Sequence, residues 1–125
     1  MASGTVAVEA FVAAINAKDI DSVMEFFTPD AVYHNMPMAP VSGLAAIRQV
    51  IERFIGPAEE VDWQILTLAE SGDSVMAERM DRFVIDGKTV GLPCSGVFEM
   101  VDGKIKICRD YFHMAAWLRQ TGVGD

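Results

Sequence analysis

Three glycine-containing breaks, Ser71-Gly72-Asp73, Asp86-Gly87 and Asp102-Gly103, cut the second half of the chain into four β-rich runs, approximately 59–70, 74–86, 88–101 and 104–112. Asp-Gly between such runs signals a tight hairpin, because glycine accepts the positive φ that the turn demands. The runs are therefore predicted to pair in sequence as an antiparallel meander. The first half has a different period. Val6, Ala10, Phe11, Ala14 and Ile15 recur at helical spacing over 5–17, and Asp19 is suited to cap a second short helix through Val23, Met24 and Phe27, which Thr28-Pro29-Asp30 ends. Ala31 to Met36 reads as a short strand, and Pro37 and Pro40 confine the residues after it to an irregular loop. Ser42 is placed to cap a third helix with a stripe of Leu44, Ile47, Val50, Ile51 and Phe54, closed by Gly56-Pro57. A last short helix is predicted from Met114 to Arg119, before a Gly-rich tail expected to be disordered. Helices first and a meander afterwards define an α+β class, a curved, mostly antiparallel sheet with its helices gathered on one side.

A chain of 125 residues with 51% hydrophobic content suits one domain, residues 1–125 with an ordered core over about 5–120. Its 18 acidic residues against 10 basic ones give a net charge of -8, which argues against nucleic acid and anionic lipid as partners. The first ten residues lack the basic region and unbroken apolar core of a secretion signal, and no segment approaches membrane-spanning length, so a cytoplasmic location is the expectation. Cys94 and Cys108 fall in strand-like runs, where free cysteine packs as a small hydrophobe rather than as a nucleophile or half of a disulfide. His34 and His113 have no metal-site spacing, so neither metal nor cofactor is expected. Eight methionines suit an adaptable apolar cavity, though gap-filling accounts for any single one.

Charge inside the apolar run 74–85 is the chemical anomaly. Side chains two apart on a strand share a face, so Arg79 and Asp81 point with Val75, Ala77, Phe83 and Ile85 toward the interior. An unpaired buried charge is costly, whereas opposite charges can persist together where water is scarce. Asp110 supplies a second acid, and Tyr33 and Asn35 repeat the two-residue spacing; together these make a candidate acid–base centre. One register conflicts with this. Lys104-Ile105-Lys106-Ile107 alternates with its isoleucines inward, and continuing the alternation sends Asp110 outward unless a bulge near Cys108 resets it. Each residue also has a plainer reading: a structural ion pair for Arg79 and Asp81, a half-buried aromatic for Tyr33, a turn former for Asn35, a solvated strand-end carboxylate for Asp110. Arg82 is read as a surface or dimer-contact charge.

From about Val8 to Leu118 the chain resembles the limonene epoxide hydrolases, within the wider nuclear-transport-factor-2-like, cone-shaped α+β fold. Tyr33-His-Asn35, Arg79-Met-Asp81 and Arg109-Asp110-Tyr-Phe112 carry the resemblance, with Leu92-Pro-Cys-Ser-Gly-Val-Phe-Glu99 in support. It implies that Tyr33 and Asn35 position a water, Asp110 is the base, Arg79 bridges the two aspartates and Asp81 is the acid. It also implies helices on the concave side of the sheet, an apolar epoxide as substrate, and a homodimer packed through the sheet. Opening an epoxide needs a nucleophile at carbon and a proton for the departing oxygen, and two carboxyl groups in one apolar pocket are expected to share one proton. Spacing does not decide which aspartate keeps it; the resemblance gives it to Asp81. The loop from Met36 to Pro40 departs from the family. Phe83, Phe98 and Met80 or Met100, depending on register, are the expected hydrocarbon lining. Two other functions stay open: a ketosteroid-isomerase-like or polyketide-cyclase-like enzyme using Asp110 and Tyr33, which gives Arg79 no task, and a non-catalytic domain that binds an apolar ligand.

Overall fold

The computed structural model describes residues 4–122; the tail expected to be disordered begins at Gly122 and otherwise lies outside them. The elements run in the order α1 (Gly4–Asn16), α2 (Ile20–Met24), β1 (Phe27–Asn35), β2 (Val41–Ser42), α3 (Leu44–Ile55), β3 (Glu60–Ser71), β4 (Ser74–Ile85), β5 (Lys88–Val101), β6 (Lys104–Tyr111) and α4 (Met114–Thr121). One six-stranded, mostly antiparallel curved sheet carries the order β2-β1-β6-β5-β4-β3. The meander is as the turns dictate. Asp86 and Gly87, and then Asp102 and Gly103, all take positive φ, closing two-residue turns whose twist matches the flanking strands. No helix among the described residues is long and apolar enough to cross a membrane.

Phe11 of α1 is the packing hinge between helices and sheet. Its ring meets Phe27 at 5.6 Å and Phe98 at 5.8 Å, both edge to face, and Val8, Val12 and Ile15 continue the same buried stripe. Asn16, at the end of α1, clamps β3: its side chain accepts from the Trp63 backbone N–H at 2.7 Å and donates to the Trp63 carbonyl at 3.1 Å. Trp117 of α4 packs on Phe54 and Phe83, with ring centroids 5.3 Å away in both cases. Gln120 of the same helix mimics a strand partner for the open edge of β5, donating to the Gly91 carbonyl at 2.8 Å and accepting from its N–H at 2.9 Å.

The structure corrects several boundaries. Thr28-Pro29-Asp30 lies inside β1, which starts at Phe27 and runs parallel to β6. Pro29 is tolerated because the ladder is irregular between Phe27 and Val32. Ser42 belongs to the two-residue β2, and the residue before α3 is Gly43, at φ 88 with no side-chain cap. The first hairpin turn, at Gly72-Asp73, is tighter than the three-residue break suggested, with Ser71 and Ser74 directly paired. Helix α4 runs two residues past Arg119.

Candidate active site

A bulge in β6 decides where Asp110 points. Met100 pairs with Ile105 and Glu99 with Ile107, so Lys106 is the extra residue and the inside–outside alternation inverts after it. Ile105 is buried, Ile107 only half-buried, and Cys108 and Asp110 turn inward. The reset falls at Lys106, two residues ahead of Cys108.

Ladder pairing then brings the polar residues into one row. Asn35 pairs with Asp110, Asp110 with Gly96, Arg79 with Cys94 and Asp81 with Trp63. Tyr33, Asn35, Arg79, Asp81 and Asp110 are each 6% exposed or less. Arg79 lies between the carboxylates. It donates to Asp81 Oδ1 through Nε at 2.9 Å and to Oδ2 through Nη2 at 2.8 Å, a fork-on-fork pair. It donates to Asp110 through Nη1 at 3.2 Å and Nη2 at 3.1 Å, and to Cys94 Sγ at 3.2 Å. Trp63 supports the guanidinium from one side, its ring centroid 4.4 Å from Cζ.

The electrostatics arise from this geometry. Burial disfavours charge on Arg79, but the Asp110 charge and the hydrogen bonds to Asp81 outweigh it, so the guanidinium is held cationic well above its ordinary range. Burial lifts the Asp81 carboxyl to about 6, with Arg79 working against the rise and the Asp110 charge adding to it. Burial, and then the Asp110 charge, push Tyr33 well above the ordinary phenol range, so its hydroxyl stays a donor at neutral pH. The same causes raise the Cys94 thiol, which is neutral and serves as a soft acceptor for Arg79 rather than as a nucleophile.

Above the row is a cavity of about 30 Å³, room enough for a water. Tyr33, Asn35, Asp81 and Asp110 line it together with Ile51, Ile55, Leu92 and Phe83. The lining corrects the sequence reading. Of the expected hydrocarbon contacts only Phe83 reaches the cavity; Phe98 and Met100 sit in the core, Met80 lies on the opposite face of β4, and no methionine lines the space. Among the described residues, no group of three or more His, Cys, Asp or Glu side chains is arranged to hold a metal ion.

Three participants escaped the sequence reading: Trp63, Cys94 as a partner of Arg79, and Gly96. A Cβ on Gly96 would lie 2.6 Å from Arg79 Nη1 and 2.8 Å from Asp110 Oδ1. A free arginine tip would swing aside, but this one is pinned by both aspartates. Gly96→Ala is expected to cost about 1–3 kcal/mol, the usual penalty for overpacking, read as a lower urea midpoint with unchanged slope.

The row of polar groups under an apolar cavity, on a curved sheet backed by helices, is the layout of an enzyme pocket in an α+β cone. The limonene-1,2-epoxide hydrolase catalytic-domain model matches residues 2–122, and the chain belongs to that family. It is 33% identical over 106 residues to epoxide hydrolase EphG of Mycobacterium tuberculosis, covering 85% of this chain and 70% of that one. A solved M. tuberculosis epoxide hydrolase described as like the limonene enzymes superposes with a TM-score of 0.80 at 30% identity, over 94% of this chain and 90% of the other. A Shewanella putrefaciens protein described as SnoaL-like reaches 0.85 at 15% identity over 98% of both chains, a likeness of fold alone.

Proposed function

We propose that this protein is an epoxide hydrolase that adds water to an apolar epoxide in one step, giving a vicinal diol without a covalent intermediate. Family membership supports epoxide hydrolysis in general. The finer reading is carried by one observation: a single buried guanidinium hydrogen-bonded to two carboxyl groups that both line a cavity with room for a water. Tyr33 and Asn35 hold the water beside Asp110, which takes its proton as the oxygen attacks an epoxide carbon. Asp81, raised to about 6, gives its proton to the departing oxygen as the C–O bond breaks. Asp110 is then protonated and Asp81 bare, and return of one proton across the Arg79 bridge resets the site. The apolar lining fits a largely hydrocarbon substrate of terpene, fatty or sterol type.

The cyclase or isomerase reading draws on Tyr33 and Asp110, which share the cavity. It leaves the pair of Arg79 and Asp81 without a task. A single-turnover reaction in ¹⁸O-labelled water, enzyme in excess over limonene oxide, separates the routes. Direct attack puts label into the diol in the first turnover. Unlabelled first-turnover diol, with label entering the protein carboxylate afterwards, would reject it. Turnover of a ketosteroid but no epoxide would replace it with the isomerase.

A further inference from the structure

Trp63 Nε1 is the one buried side-chain nitrogen or oxygen among the described residues with no hydrogen-bond partner in the protein. Its residue is 7% exposed and lines the cavity. A buried orphan donor of this kind costs stability, and natural interiors seldom keep one without a use.

The surroundings hold the indole firmly. Asn16 fixes the Trp63 backbone through both its N–H and its carbonyl, Phe83 packs on the ring at 6.3 Å, and the Arg79 guanidinium covers a face. A cation over the ring withdraws electron density and makes the N–H a stronger donor. The donor is therefore already stripped of water, oriented and polarised before any ligand arrives, so an acceptor gains the bond without a desolvation cost.

Strand order says which acceptor. Tyr33 and Asn35 stand on β1, separated from β3 by β6, β5 and β4. Trp63 is thus across the cavity from the residues assigned to the water, and it is the direct ladder partner of Asp81. Side chains at directly paired positions have Cβ atoms roughly 5 Å apart. An apolar epoxide carries a single acceptor, its ring oxygen, and that oxygen must lie at Asp81 to receive a proton.

We infer that the Trp63 indole N–H is a second donor to the epoxide oxygen, sharing with Asp81 the charge that develops there as the C–O bond breaks. Trp63 is then a catalytic residue on the leaving-oxygen side of the cavity. This rests on the epoxide hydrolase reading, with Asp81 as the acid.

The first test tracks the indole proton by NMR in ¹⁵N-tryptophan protein, in Asp81→Asn and independently in Asp110→Asn, both expected to bind and to turn over slowly enough for spectra to be recorded before the oxide is consumed. The chain has two tryptophans, so Trp63→Phe assigns the resonance. Limonene oxide and limonene differ by one oxygen. The oxide should move the Trp63 N–H proton downfield, and limonene should not. An unmoved resonance, or an equal shift with both ligands, overturns the inference. The second test is kinetic. Trp63→Phe keeps an aromatic ring against Arg79 while losing the donor and part of the indole's volume, so kcat on limonene oxide should fall about 100-fold, as when one oxyanion donor is removed, with the pH profile retained. A rise in KM alone would also overturn it. If the wild-type protein forms no diol while the resonance still shifts with the oxide alone, the hydrolase reading fails and the donor assignment stands.

Discussion

Replacing Arg79 by methionine should destabilise the protein by about 3–5 kcal/mol at neutral pH, the range found when one partner of a buried ion pair is removed. Methionine comes near arginine in length and fits an apolar site, so lost volume is not the main cost. The damage is electrostatic. Asp81 and Asp110, only 3% and 4% exposed, would face one another in an apolar cavity without the guanidinium. The Trp63 ring and Cys94 Sγ would lose the cation that they contact.

The loss should depend on pH, and linkage fixes its sign. In the wild-type fold, burial already raises Asp81 from 3.8 to about 6 even with Arg79 opposing the rise. Without the cation the folded-state value climbs further. A group raised on folding contributes stability that is fully present below its unfolded value, here about 3.8, and lost as pH rises through the folded one. The gap in urea midpoint between wild type and Arg79→Met should therefore be wide at pH 7.5 and narrow toward pH 4.5. A gap that stays constant or widens on acidification would mean that Arg79 acts through packing, and that the carboxyl groups do not need its charge.

Much of this cluster could be read from spacing, and the reason is local. Arg79 and Asp81 share a face because they lie two apart on one regular strand, and the glycine turns at 87 and 103 fix which strands adjoin. The Asp110 register could not be read, because a bulge depends on how two strands meet. Lys106 looks like one more member of an alternating run until Glu99 and Met100 are seen to pair around it. The cavity lining failed for a similar reason. Phe98 and Phe83 both point inward, but Phe11 of α1 occupies the space over Phe98 and leaves the cavity over Phe83. Trp63 carries a signal legible in the sequence: a large polar-tipped aromatic in a half-buried strand usually finds a partner for its N–H. Asp62 and Gln64 flank it on the exposed face, which marks Trp63 as inward. Gly96 must be glycine because of Arg79 and Asp110, which are remote in sequence and adjacent in the sheet.

Asp110→Asn and Asp81→Asn should each lower kcat on limonene oxide by about 10²–10⁴-fold, but their pH responses should differ. Asparagine at 110 can still accept from Arg79 and hold its place, so the fold survives while the water loses the base proposed for it. Asparagine at 81 keeps one acceptor for the guanidinium and has no acidic proton to give. If Asp81 is the acid as proposed, wild-type activity should fall as pH rises through about 6, where its carboxyl loses the proton. Asp110→Asn retains that acid, so its residual rate should still decline with rising pH. The midpoint should be lower, because the Asp110 charge helps to raise Asp81 and asparagine removes it. Asp81→Asn should lose this alkaline-side decline. Rates from pH 4.5 to 9 for the three proteins decide the assignment. If Asp81→Asn keeps the decline and Asp110→Asn loses it, the acid and base have been placed on the wrong carboxyl groups, and the water would have to enter from the Trp63 side of the cavity.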